Sequence, residues 1–263
     1  MVVPFRPMTD TELPPRLTHL TFHGPLSEVR ADALVARLTR RAPATVLDIG
    51  CGWGELMLRV LEAAPGSKGV GIDLNGEDLA RGRHNAEARG IGGRVEFVEG
   101  SATGTTRGPA DVVLCVGSGQ ALLDPDEVTG DPTRAALGAL RSLVAPGGRL
   151  LFGEGFWQRT PTPDELAAMW PGARVDDHQS LAGIVEAAAA AGFRVESLET
   201  ATEAEWEHFE SGYLAGTEEW LATNAGHPLA AETRDRVDRH RASWLRGYRG
   251  VLGLVYLTLI PVD

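Results

Sequence analysis

The run Ala44 to Ile49 is apolar on both faces of an extended strand except at Asp48, and it breaks at Gly50-Cys51-Gly52-Trp53-Gly54. Leu56, Met57, Val60, Leu61 and Ala64 then recur at helical spacing until Pro65-Gly66. A strand apolar on both sides that turns through glycines into a helix predicts a parallel sheet, because crossover helices are what cover both faces. The remaining chain repeats the alternation. Strands are expected at Lys68 to Leu74, Val95 to Val98, Asp111 to Val116, Arg149 to Gly153, Phe193 to Leu198 and Val251 to Ile260. Helices are expected over Glu77 to Arg89, after the Asp131-Pro132 cap, and near Ser180 to Ala191, with Phe156 to Asp177 as a Trp- and Pro-bearing connection. The fold class is α/β.

Two decorations flank this pattern. Residues 1–43 read as an N-terminal helical cap, with Ser27 capping a helix from Glu28 to about Arg41. Residues 201–250, between the last two strands, are too many for a hairpin and carry their own helical periodicity. The parse is therefore a core over 44–200, a helical insertion over 201–250 that is a lid candidate, and a final core strand over 251–263. Neither repeats nor low-complexity linkers interrupt it.

With 25 basic against 36 acidic residues the net charge is -11, which disfavours a grip on nucleic-acid phosphates or an anionic membrane. The most apolar stretch, Val251 to Ile260, is about half of the ~20 residues a spanning helix needs. The first residues, MVVPFRPMTD, lack the apolar core of a secretory signal, so the expected location is cytoplasmic. Cys51 and Cys115 have no Cys or His partner at ligand spacing, so neither a disulfide framework nor a metal site is expected. Lys68 is the only lysine, and the surplus of arginine fits a GC-rich coding bias. Nothing in the sequence sets an oligomeric state.

Glycines at the strand-to-helix turn let a ligand lie against the amides of the helix start. Asp73 closes Gly71-Ile72-Asp73-Leu74 at the tip of the neighbouring strand. A carboxylate there can accept both hydroxyls of a ribose, which points to a nucleoside-containing cofactor.

In these segments, and through Val95 to Ala102, Asp111 to Val116 and Ala145 to Gly153, the sequence resembles the class I S-adenosylmethionine-dependent methyltransferases. The resemblance implies a Rossmann-like, mostly parallel seven-stranded sheet whose final strand is antiparallel, and S-adenosyl-L-methionine as cofactor. It places Asp48, Gly50, Cys51 and Gly52 against the methionine part, Asp73 at the ribose, and Leu74, Ala102 and Val116 among the cofactor-binding residues. Ser101 stands where the family often has an aspartate for the adenine amino group; as a neutral acceptor it binds more weakly. Asp48 has a second reading, as an acceptor for loop amides. The glycines alone also serve a tight turn, Cys51 reads as packed rather than nucleophilic, and Cys115 as core.

Two other classes compete. A nicotinamide-dependent oxidoreductase shares the acidic strand tip but has G-x-G-x-x-G, and Lys68 has no Tyr four residues before it. A non-catalytic protein that binds an adenosyl cofactor fits the same motifs. Within the methyltransferases, Gly117-Ser118-Gly119-Gln120 is not the Asn/Asp-Pro-Pro-aromatic motif of base and glutamine methylation, which favours a small-molecule acceptor. Asp124 and Glu154 do not reproduce the acidic set of metal-dependent catechol methylation, so a metal-independent reaction is expected.

Ligands of open α/β sheets sit beyond the strands' carboxyl ends, so the acceptor is expected near Ser118, Gln120 and Trp157. Glu154 is the leading base candidate against a solvated or Arg-paired role, and His19, His23 and His178 are candidates for a base or a lid contact against plain surface or structural roles. Trp206, Phe209, Tyr213 and Trp220 share a helical face in the insertion. That stripe reads as a packing face or as an aromatic lid, with Tyr213 touching substrate. The six glutamates from Glu203 to Glu219, without Lys or Arg among them, read as a solvated face or as an attraction for a cationic acceptor.

Overall fold

The computed structural model describes residues 13–124, 126 and 130–262. Seven strands form one sheet: β1 (Thr45–Ile49), β2 (Lys68–Asp73), β3 (Val95–Glu99), β4 (Ala110–Val116), β5 (Val144–Trp157), β6 (Phe193–Thr200) and β7 (Leu252–Pro261). Their order is β3-β2-β1-β4-β5-β7-β6. Neighbours from β3 to β5 pair in parallel, whereas β7 runs antiparallel to both β5 and β6. The chain thus reverses its strand order between β1 and β4, the place where such sheets open a crevice at their carboxyl edge. Lys68, exposed at the start of β2, marks the opposite edge.

Helices α1 (Glu28–Leu38), α2 (Glu55–Ala63) and α3 (Gly76–Ala88) contribute to one face, and α4 (Pro132–Leu143) and α6 (Leu181–Ala190) to the other; the short α5 is Pro163–Ala168. Strand side chains alternate between two cores. Leu47, Ile49, Val113, Cys115 and Phe152 face α4 and α6, while Val46, Val112, Leu114, Leu151 and Tyr256 face α1 and α2. Asp48 and Val116 belong by register to the second face, and Glu154 to the first.

β5 corrects the expected boundary. It does not end at Gly153, because β7 continues the ladder to the Trp157–Leu252 pair and keeps Phe156 and Trp157 in the strand rather than in the connection. Pro146-Gly147-Gly148 falls in a bulge between the Ala110–Val144 and Val112–Arg149 pairs.

The segment 201–250 forms α7 (Glu203–Thr223), α8 (Ala230–Ser243) and a π turn, Trp244–Tyr248. A Cβ on Gly212 would stand 2.6 Å from Leu20, and one on Gly216 2.7 Å from Thr18 Oγ1, so the chain before α1 packs tightly along α7. Glu205 joins the two decorations: it accepts from Ser27 N and Oγ, Arg30 Nε and Nη2, and Thr202 N and Oγ1.

Candidate active site

The β1–α2 turn passes through Gly50, Gly52 and Gly54 at φ of 61°, 54° and 67°, a backbone region that disfavours other residues. A Cβ on Gly50 would lie 2.4 Å from Ser118 Cβ. Ser118 is buried there and donates to Ile49 O at 2.6 Å, tying the end of β4 to the end of β1.

Asp73 stands at the adjacent tip. Its Oδ2 accepts from Gly52 N and its Oδ1 from Asn75 N, both at 2.8 Å, so the turn and the start of α3 fix the carboxylate. Each oxygen retains a lone pair for a further donor. Leu74 is 72% exposed beside it, Ala102 is buried, and Ser101 is exposed, its Oγ accepting from Thr103 N.

Asp48 lines a cavity of about 80 Å³ together with Phe22, His23, Leu26, Cys51, Val116 and Tyr256. Burial, reinforced by the Asp73 charge, pushes its carboxyl up to about 8, and among the described residues no donor compensates. A buried carboxyl group that lines a cavity without a donor of its own is free to meet a ligand's donor. Burial also pushes the Cys51 thiol up; its Sγ packs on Gly71, which leaves it a poor nucleophile. The Tyr256 hydroxyl donates to Pro25 O at 3.1 Å and holds the chain before α1 over this cavity.

His23 stacks on Trp53 at 5.1 Å and stands over Gly52, its Nδ1 3.4 Å from where a Cβ would be. Burial lowers its pKa, which favours the neutral ring at pH 7. It also borders a second cavity of about 520 Å³, lined by Leu17, Tyr213, Leu214, Arg236, Val237 and His240 among others.

The other acceptor-side candidates are not brought together. Glu154 faces α4: its Oε1 accepts from Gly155 N and its Oε2 approaches Gly119, while burial pushes it up to about 7. It lies on the sheet face opposite Asp48, within a strand rather than a loop, and among the described residues no arginine pairs with it. His178 packs against Gly155 and edge-on to Trp157, and Trp157 donates its indole N–H to Val175 O. Gln120 is exposed and donates to Gly117 O. Of the four substrate candidates, Tyr213 lines a described cavity. The aromatic stripe does not act as one unit: Trp220 is buried with Leu221 and Val237, and Trp206 and Phe209 pack inward.

Phe22, Leu26, Tyr256 and His240, which line these cavities, and Glu210, which pairs with His240, were not singled out by motif. Tyr256 had a weak signal, a hydroxyl within an apolar strand; His240 had none, lying in the charged run Arg239-His240-Arg241. Among the described residues, no group of three or more His, Cys, Asp or Glu is placed to hold a metal, and no helix is long and apolar enough to cross a membrane.

A glycine turn, a carboxylate fixed at the next strand tip and an unpartnered buried carboxyl are the features expected of a nucleoside-binding α/β protein. A family profile described as a methyltransferase domain matches residues 46–148. The uncharacterized protein YjhP of Escherichia coli (strain K12) is 31% identical over 214 residues, 81% of this chain and 82% of that protein. A demethylmenaquinone methyltransferase of Thermus thermophilus is 36% identical over 113 residues, 42% of this chain and 47% of that enzyme. A SAM-dependent methyltransferase from Thiobacillus denitrificans, crystallised with S-adenosyl-L-homocysteine, superposes with a TM-score of 0.78 at 27% identity, covering 94% of this chain and 98% of that one. The chain belongs to the class I S-adenosylmethionine-dependent methyltransferases, and its cofactor is S-adenosylmethionine. These relatives favour neither the nicotinamide reading nor the non-catalytic one.

Proposed function

We propose that this methyltransferase acts on a small-molecule acceptor by in-line displacement, without a metal. The observation that carries the reading is that His23 lines both the small cavity beside Asp48 and the 520 Å³ cavity under α7 and α8. That volume lies in the range of drug-sized ligand sites. The cofactor supplies a methyl group already activated on a sulfonium. The chain's task is therefore binding, alignment and exclusion of water.

Asp48 holds the ammonium of the methionine part, Gly50 to Gly52 offer main chain to its carboxylate side, and Asp73 accepts from the ribose hydroxyls. Leu74 and Ser101 border the base. Phe22, Leu26 and Tyr256 close the small cavity with apolar surface, which keeps water from the reacting centre.

The test uses methyl-labelled S-adenosylmethionine in fractionated cell extract. Label is expected in the small-molecule fraction; label confined to protein or nucleic acid overturns the acceptor class. Calorimetry with S-adenosylhomocysteine and NAD(P) beside it checks the cofactor, with binding expected for the first alone.

A further inference from the structure

The insertion contains a buried carboxylate that cofactor binding does not use. Glu210, on α7, is 2% exposed. Its Oε1 accepts from the Tyr248 hydroxyl at 2.7 Å, and its Oε2 pairs with His240 Nε2 at 2.8 Å. Burial and the adjacent carboxylate push the Tyr248 hydroxyl up, so it remains a donor. Tyr213 stacks on the His240 ring at 4.6 Å and 13°. His240 itself is partly exposed and lines the 520 Å³ cavity that His23 borders above the glycine turn.

With Nε2 turned to a carboxylate, the hydrogen of a neutral imidazole sits on Nε2 and the lone pair on Nδ1. A carboxylate that orients an imidazole and stabilises its protonated form makes histidine an effective base. We propose that His240 is the general base for a phenolic acceptor seated in this cavity, with Glu210 as its positioning residue. This rests on the methyl-transfer reading above.

The chemistry selects the acceptor class. A thiol or an activated carbon needs little help, whereas a phenol with a pKa near ~10 is neutral at pH 7 and must lose its proton to become a strong nucleophile. Leu17, Tyr213, Leu214, Leu229 and Val237 give the cavity an apolar wall that suits a flat ring. In the step, His240 Nδ1 takes the hydroxyl proton while the phenolic oxygen's electron pair forms the bond to the methyl carbon. The carbon–sulfur bond breaks with its pair left on sulfur. Glu210 balances the imidazolium, which returns its proton to water as product leaves.

The titratable and charged groups around His240 are Glu210 and Tyr213 from α7, Glu232, Arg236 and Arg239 from α8, and Tyr248 from the π turn. Arg16 and His23 face it across the cavity, and Arg16 is neutralised by Asp78. The segment around α5 brings only apolar residues to its other side.

A pair that merely ties α7 to α8 would leave proton transfer untouched, and that separates the two roles. The probe is 4-nitrophenol, titrated into the protein with and without S-adenosylhomocysteine and read by phenolate absorbance. Bound probe is expected to ionise at lower pH in wild type than in His240→Gln, and Glu210→Gln should displace that midpoint. Tyr248→Phe removes one hydroxyl from Glu210 and should also move the midpoint, which covers the case of an unfolded His240 variant. Methyl transfer to a series of phenols should fall at least about a hundredfold in His240→Gln, with S-adenosylhomocysteine affinity unchanged. Probe ionisation or phenol methylation indifferent to all three changes overturns the proposal. Loss of S-adenosylhomocysteine binding by wild type, with His240-dependent ionisation intact, would instead overturn the methyl-transfer reading and leave the base standing.

Discussion

Asp48 is the residue whose environment says most about what it waits for. Its carboxyl, pushed up to about 8, is mostly protonated in the free protein at neutral pH, and an ammonium ligand favours the ionised form. Binding of S-adenosylhomocysteine should therefore release a proton and tighten as pH rises from 6 to 8, by up to about tenfold per pH unit. Calorimetry in buffers of different ionisation enthalpy measures both effects, and Asp48→Asn should abolish the slope. The same shift has a stability sign. A carboxyl raised on folding keeps an extra proton in the native state, so the free protein loses stability as pH climbs toward 8. Asp73→Ala should weaken S-adenosylhomocysteine binding by at least about tenfold, since it removes the ribose acceptor and the anchor of Gly52 N. Glu154, raised chiefly by burial and further by the Asp131 charge, carries a different expectation for activity: Glu154→Gln should leave transfer intact and raise stability by about 1–2 kcal/mol at pH 8 but not at pH 4. At this scale the motif residues Asp73 and Gly50 were legible because each serves a local turn. The direction of Glu154 was not legible, because it depends on which face of β5 the residue occupies, and strand register is settled only by pairing with β4 and β7.

Among elements, the junction of α1 and α7 is the one most exposed to test. Glu205 lies at the first turn of α7 and is held down to about 2 despite its burial, chiefly by hydrogen bonds from Arg30, Thr202 and Ser27. A carboxylate depressed on folding contributes stability in full above the ordinary glutamate range and loses it as pH falls toward 2. Glu205→Ala should cost about 3 kcal/mol at pH 7 and almost nothing in acid, read by thermal melts across pH. The sequence showed both helices and the Ser27 cap, since capping and periodicity are local. It did not show that one acid serves two helices 175 residues apart in the chain, because such a contact has no spacing to read. The extension of β5 to Trp157 was hidden for the same reason: an antiparallel partner entering from the far end of the chain decides where that strand stops.

For the whole molecule, the candidate site draws on three separate stretches whose residues line the two cavities: the strand tips, the chain before α1, and the α7–α8 insertion. Core fold and cofactor class were readable because the parallel sheet is written in consecutive strand and helix units. The proposed acceptor side was not, because His23 comes to line both the cavity of Tyr256 and that of His240 only through tertiary packing. S-adenosylhomocysteine at a hundred times its Kd should stabilise the protein by about 2.7 kcal/mol, with hydrogen-exchange protection spreading from the glycine turn into residues 20–26. Protection limited to the turn would mean that the N-terminal stretch does not close over the cofactor. The solitary lysine offers a practical corollary. Lys68 projects from the amino edge of the sheet, so amine-directed coupling through its side chain would moor the enzyme to a bead or sensor chip by its far pole, with the catalytic mouth turned outward to the flowing sample.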